Sequence, residues 1–337
     1  MRLLIVTQKV DRTDPILGFF HRWIEEFAKH CESVIVIGQK VGEHRLPGNV
    51  RVLSLGKERG SWRWAQVMRY RLLLFKYRKQ YDAILVHMTP IWAVIAWRAV
   101  IFLRKPLYVW YEARGKRWPL KIALALATKV FSASVHGMPM ETKKSVIVRH
   151  GIDTQEFKPG SSDHRDPHLL ITVGRISGSK RLHIILDAFA KLPSTMRLLI
   201  AGTAITDADH QLLRHLQEGM SQRGIAGRIE QRALPPEEVT AVLQHATLFL
   251  HSSQTSLDKA LIEAMACECL VVSCSEAAHG VLPPACLATA EGMADRVITL
   301  LRMPKTEQDQ LRFQLRDTIV RKHSLQRLIR KLVEEMQ

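Results

Sequence analysis

The 337-residue sequence contains no predominantly apolar, charge-free run of about 18 residues, which argues against a membrane-spanning helix. The nearest candidate, Ala83 to Leu103, is interrupted by Pro90 and Arg98. The opening "MRLLIVTQKV" has too short an apolar run for an export signal and no small-residue cleavage site, so it is expected to be a first buried strand. Cysteines are few and odd in number: Cys31, Cys267, Cys269, Cys274 and Cys286. Without an export signal they are expected as reduced thiols in a cytoplasm. Cys267 and Cys269 are close, but zinc needs further thiols or histidines at loop spacing, so no metal site is expected. Low-complexity tracts, short repeats and the Walker pattern G-x-x-x-x-G-K-[ST] are also missing.

Acidic residues are scarce in one half only. Residues 1–150 hold 27 Lys/Arg against 10 Asp/Glu and so carry the whole formal charge of +17, while residues 151–337 hold 22 of each. A one-sided positive field recruits anions: nucleic acid, acidic lipid headgroups or phosphorylated substrates.

What is present is an alternation of strand and helix. "RLLIVT", "SVIVIG", "NVRVLSL", "DAILVH", "PLYVWY", "KVFSAS" and "SVIVRHG" are strand candidates of the first half. Their apolar runs are continuous rather than alternating, the mark of a parallel sheet covered on both faces by helices. Residues 151–168 carry Pro, Gly and Ser among polar residues and are the hinge or linker candidate. The pattern then restarts with "LLITVG", "RLLIAG", "RIEQRAL", "TLFLHSS" and "LVVSC". The fold class expected is α/β, with two Rossmann-like, doubly wound parallel-sheet domains facing a cleft. These are an N-terminal domain over 1–150, joined by a C-terminal helix at 320–337, and a C-terminal domain over 169–319.

In such folds, ligands bind at the C-terminal edge of the sheet. "ITVGRISGSKRL" places Gly174, Arg175 and Lys180 there, between a strand and a helix start, and two fixed positive charges suit a diphosphate. The alternative is a solvated basic loop. "HSSQTSLDKALIEAMACE" occupies the equivalent place on a later strand. Ser256 or Asp258 is a candidate helix cap there, and Glu263 sits among small apolar residues, where a carboxylate suits the two hydroxyls of a ribose. An exposed helix glutamate is the alternative. Gly18, in "DPILGFFHRW", allows close backbone approach at a helix start, and His21 beside it reads as a helix-surface residue. His87 and Glu112 end or follow strands and are candidate catalytic groups by position, although polar residues at strand ends are routine. "SWRWAQVMRYRLLLFKYRKQ", from Ser61 to Gln80, mixes basic, aromatic and aliphatic residues at helical spacing. It suits a helix lying on an anionic membrane; stacking on nucleic-acid bases and plain packing with snorkelling side chains are the competing readings.

Taken together, "VIVRHGIDTQEFKP", "LLITVGRISGSKRL", "RLLIAG" and "TSLDKALIEAMACECLVVS" resemble the GT-B-fold, retaining family-4 glycosyltransferases, most closely from about Ser145 to Val281. The family's Asn-Gly-Ile/Val-Asp hinge reads "HGID" here, with His150 in place of Asn. Its diphosphate-binding Gly-Arg…Lys set matches Gly174, Arg175 and Lys180. Of its Glu-x7-Glu pair, the second, ribose-binding Glu matches Glu263; the first, sugar-contacting Glu is replaced by Thr255. The Gly-Phe-Gly turn becomes Ser256-Leu257-Asp258, followed by Lys259, as a subfamily trait. The histidine of many members falls near Glu112 and Ala113. The resemblance implies transfer of a sugar from a nucleoside diphosphate donor to a lipid-linked or polysaccharide acceptor, with retention and with the leaving phosphate acting as base. No cofactor and no divalent metal are expected, nor is nucleic acid as a partner. The protein is expected in the cytoplasm, peripheral on the inner face of the cell membrane through its basic N-terminal domain. A catalytically degenerate binding or scaffold protein is the rival, resting on Thr255.

Overall fold

The computed structural model describes residues 1–14, 16–113, 118–134, 137–160, 165–254 and 257–337. The chain divides into two compact units, Met1–Gly151 with Leu325–Gln337, and Ile152–Ser324.

The first unit holds a seven-stranded sheet in the order β3-β2-β1-β4-β5-β6-β7, every pair parallel. Its strands are β1 (Arg2–Val10), β2 (Ser33–Val41), β3 (Val50–Ser54), β4 (Ala83–His87), β5 (Leu107–Trp110), β6 (Lys129–Ser132) and β7 (Ser145–Ile147). Successive side chains of a strand point to opposite faces, and β1 supplies both cores. Leu3 and Ile5 join α1 (Phe19–His30) and α12 (Leu325–Met336); Leu4 and Val6 join α2 (Arg63–Lys76), α3 (Pro90–Ile95) and α5 (Trp118–Leu126). The short α4 (Trp97–Ile101) follows α3.

Helix α12 comes last in the chain yet belongs to this unit. Leu325, Leu328, Ile329, Leu332, Val333 and Met336 form a buried stripe at three- and four-residue spacing. Tyr108 Oη donates to the Met336 carbonyl at 2.9 Å, and Lys129 Nζ reaches the Glu335 carboxylate at 2.8 Å.

The second unit holds β8 (Asp166–Val173), β9 (Arg197–Ala201), β10 (Ile229–Arg232), β11 (Ala246–His251) and β12 (Leu270–Ser273), in the order β10-β9-β8-β11-β12 and again all parallel. Around it lie α6 (Leu182–Phe189), α7 (Asp207–Gln222), α8 (Pro236–His245), α9 (Lys259–Ala266), α10 (Met293–Arg302) and α11 (Lys305–His323). The order reverses between β1 and β4 in one sheet and between β8 and β11 in the other. A crevice opens at such switch points, outside the C-terminal strand ends.

Candidate functional site

In the second unit the switch point is built by the segments following β8 and β11. Gly174 follows β8 with φ +146°, a conformation that favours glycine, and the Lys180 side chain folds back over it. Lys180 lies in a 3-10 turn, Gly178–Lys180. Ser252 Oγ donates to the Lys180 carbonyl at 2.7 Å, and Arg181 Nε donates to the Ser252 carbonyl at 2.8 Å, so the two segments lock together. A pocket opens between them, lined by Gly174, Lys180, His251, Ser252, Ser253 and Asp258 among others.

The charged groups meet at Asp258. Its Oδ2 accepts from Lys180 Nζ at 2.6 Å and lies 3.1 Å from His251 Nε2. His251 is buried, and its Nδ1 lies 2.8 Å from Ser273 Oγ, which accepts the Ser275 N–H at 3.1 Å. Burial works to raise the Asp258 pKa, but the His251 hydrogen bond and the Lys180 charge overcome it and hold the carboxyl at about 2. An ionised carboxylate only accepts, so for the neutral ring Nε2 carries the proton and Nδ1 receives the Ser273 hydroxyl hydrogen.

Asp258 occupies the cap position of α9, where its side chain is expected to bond the helix start. It makes no such bond, because its carboxylate is engaged by Lys180 and His251. Among the described residues, no side chain therefore caps the first turn of α9, a place suited to an anion. Leu257 anchors the segment in the core. Lys259 at the start of α9 and Glu263 one turn on are half-buried. Burial draws Lys259 down to about 8 and pushes Glu263 up, each countered by the other's charge. Thr255 and Ser256 lie outside the described residues.

Arg175 is half exposed, with Nε 3.8 Å from Asp209 Oδ2. The chain does contain one Asp-x-Asp spacing, Asp207-Ala208-Asp209, which bears on the expectation that no metal is held. Asp209 is engaged in the capping box of α7, where it accepts the Thr206 N–H.

In the first unit, the positions singled out in the sequence take structural roles. A Cβ on Gly18 would lie 2.6 Å from the Asp14 carbonyl oxygen, and the Gly18 N–H donates to that same oxygen. The chain itself thus makes a close approach at Gly18 that needs glycine. His21, expected on a helix surface, is buried, and its Nε2 accepts the Arg45 N–H at 3.1 Å.

His87 is only 2% exposed, stacks on Phe20 at 4.0 Å between centroids, and has Nδ1 3.2 Å from Thr7 Oγ1. These are the surroundings of a packed core histidine. Glu112 accepts from Ser132 Oγ at 2.7 Å, Ala133 N–H at 2.8 Å and Ser134 Oγ at 3.1 Å, so it organises the turn after β6.

Sequence reasoning thus brings together Gly174, Lys180, Leu257, Asp258, Lys259 and Glu263 in one unit, with Arg175 at the pocket's margin. It misses His251, Ser273 and Asp209. His251 carried a usable signal, since it ends a strand as His87 does.

Residues 167–303 match the family model described as "Glycosyl transferases group 1". No curated protein matches by sequence. Among solved structures, Anabaena HepE in complex with UDP is similar, with a TM-score of 0.77 at 17% identity over 100% of this chain and 99% of that one. Other HepE structures hold UDP with glucose, or UDP-glucose. A sucrose-phosphate synthase from Thermosynechococcus elongatus has a TM-score of 0.78 at 16% identity, covering 99% of this chain and 98% of its own. A glycosyltransferase from Rickettsia africae has a TM-score of 0.74 at 13% identity, covering 100% and 98%. At these identities the likeness shows the fold, which is GT-B.

Proposed function

We propose that this chain, whose residues 167–303 form a group 1 glycosyltransferase domain, transfers a hexosyl unit from a nucleoside diphosphate sugar to a lipid-linked or glycan acceptor. The observation that carries the reading is Lys180 at the switch point of the second sheet, beside the start of α9, with the Asp258 carboxylate seated on its ammonium instead of capping the helix. A diphosphate offers the same kind of anion to the same groups. Lys180 and Arg175 would offset the charge that grows on the leaving phosphate. Glu263 accepts no hydrogen bond from the described residues through its carboxylate and would take the ribose hydroxyls. Retention at the sugar carbon follows from the resemblance, as does a reaction without a metal, in which the two cations carry the phosphate charge. HepE's complexes with UDP and UDP-glucose support a uridine donor as the first to try.

The acceptor side is proposed to work at a membrane, as a peripheral cytoplasmic enzyme of cell-envelope synthesis. No helix of the described residues is long and apolar enough to cross one. Support comes from α2, where Trp64, Met68, Leu72 and Phe75 follow one another along one stripe and are 54–77% exposed, with Arg63, Arg69 and Lys76 exposed beside them. Exposed aromatics flanked by basic residues suit an anionic lipid surface.

The test is nucleoside diphosphate release from a panel of UDP- and GDP-sugars with membrane extract as acceptor. Release with one donor, reduced about a hundredfold in Arg175→Ala, is expected from the loss of a charge-assisted contact in the transition state. No release with any donor, and no effect of the substitution, would remove the reading.

A further inference from the structure

Asp258 has an arrangement that binding alone does not need. One of its oxygens, Oδ2, receives both Lys180 Nζ and His251 Nε2, while Oδ1 accepts nothing from the described residues. The side chain is 14% exposed and lines the pocket with Lys180. Its second anchor is rigid: His251 is 4% exposed and tied through Ser273 to β12. When an incoming phosphate takes the Lys180 ammonium, the carboxylate stays beside it on His251. A fixed negative charge therefore stands next to the cation proposed to hold the diphosphate.

The charge of the nucleotide changes during the reaction. In the donor, the diphosphate is esterified at both ends and carries two negative charges. Transfer breaks the bond from the sugar carbon to the terminal phosphate oxygen and leaves the electron pair on that oxygen. The acceptor hydroxyl bonds to the sugar carbon, and its proton passes through the phosphate to solvent. A terminal phosphate has its second ionisation near 6, so at neutral pH the product carries close to three charges. The neighbouring carboxylate penalises the third charge, and the low-dielectric surroundings strengthen that penalty. Oδ1, which accepts nothing from the described residues, is an acceptor for a sugar hydroxyl, which only the donor has.

We propose that Asp258 is a specificity-determining residue that makes this site favour the sugar-bearing diphosphate over the released nucleoside diphosphate. It thereby drives product release. The inference rests on the donor reading above.

The experiment is a set of calorimetric titrations of the full chain with UDP and UDP-glucose, and with GDP and GDP-mannose, at pH 7.5 and low salt. Asp258→Asn is expected to bind the bare nucleoside diphosphate about tenfold tighter, which corresponds to about 1.4 kcal/mol, while the sugar nucleotide binds equally or more weakly. Asp258→Glu keeps the charge and is expected to keep the wild-type preference. Wild-type protein gives a measurement that depends on no variant: UDP capped as its terminal methyl ester, which has neither the third charge nor the sugar, is expected to bind tighter than UDP.

Equal weakening of both ligands in Asp258→Asn would overturn the proposal and leave Asp258 as a strut for Lys180. An unchanged ratio, or wild-type protein preferring UDP to its methyl ester, would overturn it too. Wild-type protein binding no nucleotide of either kind would instead overturn the donor reading, and this inference with it.

Discussion

The carboxyl of Asp258 stabilises the second unit only while it is ionised. Its pKa lies near 2 in the fold against an ordinary 3.8, so its contribution is present in full above about pH 4 and is lost as pH falls toward 2. The difference is on the order of 2 kcal/mol. Thermal melts of wild type and Asp258→Asn should differ at pH 7 and converge by pH 2; a gap that persists at pH 2 would assign the effect to packing instead. At this scale the sequence is uneven. Gly174 and Lys180 were legible because a strand end, a glycine and a cation followed one another in a single run. The link of Asp258 through His251 to Ser273 was not, because His251 stands 7 positions from Asp258 and 22 from Ser273, and His251 meets Ser273 only once β11 and β12 pair. His87 shows the opposite failure. A strand-end histidine looks alike in sequence whether it faces a pocket or, as here, stacks on Phe20.

Helix α9 connects the site to the body of its unit. At its N-terminal end Asp258 pairs with Lys180 instead of capping the helix, while its C-terminal end is held by arginines. Arg165 donates to the Cys267 carbonyl at 2.7 Å, Arg312 to the Glu268 carbonyl at 2.8 Å and to Thr247 at 3.3 Å, and Arg316 to the Ala266 carbonyl. Positive charge at a helix C-terminus complements its dipole and satisfies carbonyls that the helix leaves open. Arg312 is buried, so Arg312→Met would strand acceptors at a cost of roughly 3 kcal/mol. A thermal melt should show Tm falling by about 6–12 °C, and no fall would mean that the carbonyls find other partners. Elements themselves were legible, since continuous apolar runs give buried strands and three- to four-residue spacing gives helices such as α12. Their ends were less so: within the basic stretch Ser61 to Gln80 the helix runs only from Arg63 to Lys76, and the C-terminal helix expected over 320–337 begins at Leu325. The three arginines were not legible as a set, because they come from positions far apart in the chain.

For the whole molecule, two properties could be read early: parallel α/β architecture from the strand pattern, and a net positive charge carried by residues 1–150. The stripe on α2 adds what charge alone does not, an apolar outer face. In vesicle flotation, the protein should rise with anionic phospholipid and not with neutral lipid, and less so as salt increases. Trp64→Glu combined with Leu72→Glu should abolish flotation without lowering Tm. Tighter, salt-sensitive binding to RNA that displaces the vesicles would favour nucleic acid instead. The most direct measurement concerns the second unit: stability of the full chain titrated with UDP-glucose and GDP-mannose. A donor present at a hundred times its Kd should stabilise wild-type protein by about 2.7 kcal/mol, and Lys180→Ala, each shift being taken from the variant's own unliganded Tm, should lose most of that gain. Absence of any shift in the wild type with either donor, or an equal shift in Lys180→Ala, would contradict a diphosphate site at Lys180.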